Sequence, residues 1–181
     1  MSRKYKFRDN SKLYFVSFAF INWIDVFIRN EYKQVLLDSL EYCQKFKELE
    51  LYAWCIMTSH VHLIIGSRGN PMHNIIRDMK SHTSTQLRAT IGDHPLESRK
   101  EWMLWLMGRA GKKNSNNRDF QFWQQNNEPI ELNTNLLLNN TLHYTHYNPV
   151  AVGFVNQPED WIYSSARDYA GEKGLLKIIF A

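Results

Sequence analysis

The chain has 181 residues, 44% of them apolar and 14% aromatic, and carries a net charge of +4. That length suits one domain, the apolar content excludes a disordered chain, and no apolar run reaches the roughly 18 residues a membrane span needs. The mild positive charge is compatible with a polyanion, and a basic N-terminus without the apolar stretch of a secretory signal leads us to expect a cytoplasmic protein.

In chain order, residues 13–20 alternate, with Tyr14, Val16, Phe18 and Phe20 on one side and Ser17 and Ala19 on the other, which predicts a half-buried strand. Tyr32, Leu36, Leu40, Cys43 and Phe46 then recur at helical spacing, so a helix is expected over 31–47 with Asn30 as its N-cap. Residues 50–57 and 61–66 are two β-favouring runs separated by Thr58, Ser59 and His60, and so short a connection allows only an antiparallel hairpin. Cys43 and Cys55 have no metal-ligand spacing and read as reduced core thiols.

Asn70-Pro71 opens a helix reaching about residue 91, with Met72, Ile75, Ile76, Met79, Thr83 and Leu87 inward. Arg77, Lys80, Ser84 and Arg88 fall three or four apart and predict a basic stripe on its outer face, with Arg77 and Lys80 as candidate DNA contacts. Ser98 and Glu101 suggest a capping box before a short apolar helix ending near Gly108 or Gly111. Arg109, Lys112, Lys113 and Arg118 then fall in a Gly/Asn/Ser-rich segment, expected to be a flexible basic loop over about 108–119, and the first three are further candidate DNA contacts.

Residues 120–124 alternate like an edge strand, 126–129 read as a turn, and Asn133 is the expected cap of another helix. That helix passes through Leu136, Leu138, Leu142 and Tyr144 and should end near Asn148, because Pro149 disfavours helical geometry in the residue before it. A tail from about residue 150 ends in a strand-like stretch over 175–180. The pattern predicts an α+β fold in one domain spanning 1–181, a sheet layered with helices on one face.

His60-Val61-His62 carries the most chemistry. Side chains at i and i+2 of a strand share a face, so the two imidazoles can converge on one ion. Tyr144 and Asn148, at i and i+4, are neighbours on one helical face, and Asn148 can give its amide oxygen to a hard cation. Such a site suits metal-assisted phosphodiester chemistry with Tyr144 as nucleophile: a phenol of pKa about 10 leaves more readily than a sugar hydroxyl, so a phosphotyrosine link can be reattacked by DNA. Tyr147 is a rival nucleophile without the i,i+4 relation to Asn148, and His143 and His146 read as surface histidines beside the tyrosine.

Four segments together, Tyr52-Ala-Trp-Cys-Ile-Met-Thr-Ser-His60-Val-His62-Leu-Ile, Phe122-Trp-Gln124, Tyr144-Thr-His-Tyr-Asn148-Pro-Val and Trp161-Ile-Tyr-Ser-Ser165, resemble the successive signatures of REP-associated tyrosine transposases. These belong to the single-tyrosine HUH transposases, named for their histidine–hydrophobic–histidine motif. The resemblance implies a ferredoxin-like antiparallel sheet, with the histidine pair on a central strand and the nucleophile on a C-terminal helix. It implies His60, His62 and Asn148 as ligands of Mg²⁺ or Mn²⁺, Tyr144 as nucleophile, and cleavage and transfer of single-stranded, hairpin-forming DNA by a monomer or homodimer. Two rivals are a non-catalytic module binding single-stranded nucleic acid and a water-using metal phosphodiesterase.

Overall fold

The computed structural model describes residues 7–113, 119–125 and 128–181. Strand β1 (Tyr14–Ala19) leads through short 3-10 turns into α1 (Asn30–Phe46), followed by the hairpin of β2 (Leu49–Ile56) and β3 (His60–Ser67). Helices α2 (Met72–Asp93) and α3 (Lys100–Lys112) precede a two-residue strand β4 (Ile130–Glu131), and α4 (Asn135–Ala151) and α5 (Ala166–Tyr169) complete the chain. The strands lie in the order β2-β3-β1-β4, all pairs antiparallel. With α1 and α2 as the two connections, this is the ferredoxin-like arrangement. β3 is interior, bonded to β1 on one side and β2 on the other, as the resemblance implied.

Alternation along β3 divides two cores. Val61, Leu63 and Ile65 join Val16, Phe18, Leu36, Leu40, Ile75, Met79, Leu87 and Ile91 in the large core beneath α1 and α2. Ile64 faces the other way and meets Phe15, Ala53 and Leu132, with Leu137, Leu138 and Leu142 of α4 packed against them. The sheet is thus covered on both faces, not one, and β1 is buried nearly throughout instead of half-buried. Phe15 carried the signal: a large apolar side chain at an off-face position needs cover of its own. β2 reconciles its sequence with both cores through a bulge between Leu51 and Ala53. Leu49 and Leu51 point into the large core before it and Trp54 and Ile56 after it, a parity change that an unbroken strand cannot make.

Several local expectations are corrected by tertiary packing. Asn30 is the first helical residue of α1 and not its cap, and its side-chain oxygen accepts from Lys33 Nζ. Phe46 is exposed and packs on Tyr42. No capping box forms at Ser98 and Glu101. Buried Glu97 holds the entry to α3 instead, accepting from Arg29 Nε at 2.9 Å, Tyr32 Oη at 3.2 Å, and the backbone N–H and Nε of Arg99 at 3.1 and 3.2 Å. Helix α3 runs through Gly108 and Gly111 to Lys112; Gly111 is required not as a terminator but because it lies against the backbone of Phe120, where a Cβ would sit 2.5 Å from Phe120 Cα. The expected loop over 108–119 is therefore helical up to Lys112, while 114–118, including Arg118, lie outside the described residues.

Residues 120–124 form one isolated bridge, Phe20 to Trp123, and no strand. Thr134, not Asn133, caps α4, its side chain accepting from Leu137 N at 3.1 Å. Pro149 does not end that helix: it forfeits one backbone donor, and the chain continues until Gly153, at φ +77°, turns it away. The strand expected over 175–180 is absent. Leu176 is buried and Ile179 N bonds Leu51 O at 2.9 Å, so the tail lies along the β2 edge. Cys43 and Cys55 are buried free thiols, pushed by burial to pKa values of about 11 and about 12. Among the described residues no helix is long and apolar enough to cross a membrane.

Glu97 supplies a stability prediction. Burial alone would raise its pKa, but the hydrogen bonds from Arg29 and Arg99 outweigh it and hold the carboxyl at about 2, below its ordinary 4.5. A depressed carboxylate stabilises the fold above its unfolded pKa, and that contribution is lost as pH falls from about 4.5 towards about 2. Glu97→Gln is expected to cost about 1–3 kcal/mol near neutral pH and much less at acid pH. Chemical denaturation across that window measures it; equal destabilisation at both ends would refute the assignment.

Candidate active site

His60 and His62 project from the α4 face of β3, opposite Ala19 and Ser17 of β1 respectively. Their ring centroids are 4.7 Å apart. His60 is half-buried, with Nδ1 3.1 Å from Ser59 Oγ and Trp23 edge-on to its ring. His62 is only 3% exposed and stacks on Phe15 at 5.5 Å. Burial lowers the pKa of both; for His62, with a smaller effect from His60, it falls to about 3. Both imidazoles are therefore neutral near pH 7 and keep a lone pair for a cation.

Helix α4 brings the other two groups across the sheet. The Tyr144 ring lies 5.2 Å from that of His62 and 6.1 Å from Phe15, and the residue is 51% exposed, so its phenol is open to substrate. One turn on, Asn148 Nδ2 donates to His62 Nε2 at 3.2 Å. Turning that amide about its Cβ–Cγ bond puts Oδ1 in the same place, which is the donor a hard cation requires. His62 Nδ1 is buried without a hydrogen-bond partner among the described residues, as are Trp54 Nε1 and Asp168 Oδ2. Two neutral imidazoles and one amide thus fit a divalent ion. Among the described residues no group of three or more His, Cys, Asp or Glu could hold a metal, so a site here depends on the amide.

Tyr147 is 44% exposed but stacks on His143 at 5.1 Å, away from the histidine pair. His146 is not a surface residue. Its Nε2 lies 2.8 Å from Ser165 Oγ, which also bonds the backbone N–H and carbonyl of Trp54. Burial and, less, the neighbouring His143 lower its pKa to about 4, so it remains a neutral hydrogen-bonding partner. Trp161 Nε1 donates to Ile56 O, so the segment around Ser165 fixes α4 against β2. Local periodicity could not pair His146 with a serine nineteen positions away.

The basic candidates separate. Arg77 is on the outer face of α2, but its guanidinium engages Asp78. Lys80 is not on that face: its side chain turns inward, Nζ reaching Gln124 O at 3.4 Å and lying over the Phe18 ring, and burial pulls its pKa to about 8. Arg109 and Lys112 are exposed on α3, with Arg109 over the Trp105 ring, and exposed Lys113 caps the helix.

Residues 20–107 match the family described as IS200-like transposase. No curated protein matches the chain in sequence. Among solved structures, that of a REP-associated tyrosine transposase bound to a REP hairpin superimposes with a TM-score of 0.65, covering 97% of this chain and 90% of that one at 16% identity. Residues 20–107 thus match the IS200-like transposase family, and the chain almost end to end shares the fold of a REP-associated tyrosine transposase, in agreement with the resemblance read from the sequence.

Proposed function

We propose that this chain is a divalent-metal-dependent nickase and strand transferase acting on single-stranded, hairpin-forming DNA. The observation that carries the reading is the meeting of His60 and His62 on β3 with Tyr144 and Asn148 on α4, polar groups far apart in sequence brought to one place on the sheet. The solved relative bound to a hairpin supports the substrate class.

His60, His62 and Asn148 would hold Mg²⁺ or Mn²⁺. Bound there, the ion would supply Lewis-acid polarisation of a phosphate. Tyr144 Oη attacks the scissile phosphorus, giving up its proton to solvent. An Oη–P bond forms as the P–O3′ bond breaks, and the departing oxygen takes a proton to become a 3′-hydroxyl. The 5′-phosphotyrosine that results retains the energy of the broken diester, so a DNA 3′-hydroxyl can reverse the step on a different strand. Arg77, Arg109, Lys112 and Lys113 are the proposed phosphate-binding residues. Lys80 is left out because its ammonium does not face solvent on that surface.

The test is incubation of end-labelled single-stranded hairpin DNA with the protein and Mn²⁺, followed by denaturing electrophoresis. A covalent protein–DNA band is expected; cleavage without a band would point to water as nucleophile, and binding without cleavage to a non-catalytic module. A second measurement addresses the basic residues. Replacing Lys112 and Lys113 together by alanine should reduce the slope of log binding constant against log salt by about 0.7 for each phosphate that the variant no longer neutralises. An unchanged slope would make that end of α3 ordinary surface.

A further inference from the structure

The turn after β1 presents a tryptophan where packing gives no reason for one. Trp23 is 58% exposed, although Ile21, Val26 and Phe27 around it are buried. Both Asn22 and Trp23 have positive φ, 56° and 55°. Asparagine tolerates that conformation, but for a bulky side chain it is strained, and such strain persists only where the surroundings impose it. Here they do. Phe20 N bonds Ser59 O, Ile21 N bonds Phe122 O, and Phe27 N bonds Thr58 O, at 2.9, 3.0 and 2.7 Å. Thr58 Oγ1 donates to Asp25 at 2.9 Å. The backbone is pinned on both sides while the indole is left in solvent, its ring 5.3 Å from that of His60.

We propose that Trp23 is a stacking platform for an unpaired nucleobase next to the scissile phosphate. This rests on the proposed function, since the base is placed by the phosphate held beside His60. An exposed indole on a pinned backbone offers a flat π face that suits any base, and only an unpaired nucleotide has a face free to take it, because paired bases are already stacked on their neighbours. The substrate at this point is therefore single-stranded flank and not hairpin stem. The pinned backbone fixes the direction in which the side chain leaves the turn, so less conformational freedom is lost on binding.

The test uses the full chain in EDTA, so that binding is read without cleavage, and a DNA hairpin with unpaired oligothymidylate flanks. Trp23→Asn removes the ring while keeping a residue that accepts positive φ, and Trp23→Phe keeps an aromatic face. Trp23→Asn should bind about 5- to 150-fold more weakly, the range expected when one base–aromatic stack is removed, with Trp23→Phe intermediate. An abasic site moved along the flanks should weaken wild-type binding by a similar factor at one position and leave Trp23→Asn unaffected there. 2-Aminopurine at that position should be quenched by the wild type and not by Trp23→Asn. If abasic penalties are the same in both proteins while the wild type binds in EDTA and forms its adduct in a parallel reaction with Mn²⁺, the stacking platform is overturned and the enzyme reading stands. If the wild type fails to bind the hairpin at all, both fall together.

Discussion

Tyr144→Phe is expected to form no covalent complex with DNA while binding it almost as the wild type does. Only the phenolic oxygen is removed. The ring stays against His62 and Phe15, and at a half-exposed position stability should change by less than about 0.5 kcal/mol. The rate of strand cleavage should fall on the order of 10⁴-fold or more, the scale on which loss of a nucleophile acts. Tyr147→Phe should keep adduct formation, because that ring stacks on His143 and not on the histidine pair. Mass spectrometry finding the phosphate on Tyr147 would overturn the assignment of the nucleophile within the same chemistry. Undiminished cleavage by Tyr144→Phe would instead make water the attacking group.

His60→Ala and His62→Ala should each remove divalent-ion-dependent cleavage, by more than about 100-fold, since even groups that only orient a metal ligand are worth about 10- to 100-fold. Their effects on stability should differ. His60 is half-buried at the start of β3, whereas His62 is enclosed between Phe15, Tyr144 and Asn148, so its truncation leaves a cavity and should cost about 2–4 kcal/mol. His60→Ala is thus the cleaner measurement, with circular dichroism and a titration of Mn²⁺ beside the cleavage assay. A folded His60→Ala protein with wild-type metal dependence would remove the imidazole pair from the chemistry.

The site could be read from sequence where it depends on local geometry. A period of two places His60 and His62 on one face, and the i,i+4 rule places Tyr144 beside Asn148. The hairpin followed from a connection too short for anything else. What escaped depends on distant partners. Lys80 is spaced for the outer face of α2 but has a stem long enough to turn inward over Phe18. Pro149 reads as a stop, yet it falls in the last turn of α4, where a lost donor and crowding of the carbonyl one turn earlier do not end the helix. Gly111 reads as a terminator and is instead the point where α3 passes close to the backbone of Phe120. The bulge in β2, the cap at Thr134 and the bond from His146 to Ser165 likewise answer to neighbours that no window of sequence contains.

The division of the sheet into two unequal cores has a consequence for how the site is assembled. The large core involves α1, α2 and the buried side of the strands, and α4 contributes nothing to it. Helix α4 is held by the smaller cluster around Phe15 and Ile64 and by the bond between His146 and Ser165. The two imidazoles therefore sit on a strand shared with the large core, and the proposed nucleophile and amide sit together on a helix held by the smaller one. Because Tyr144 and Asn148 are one helical turn apart on the same helix, the packing that seats α4 places both groups beside the histidine pair together.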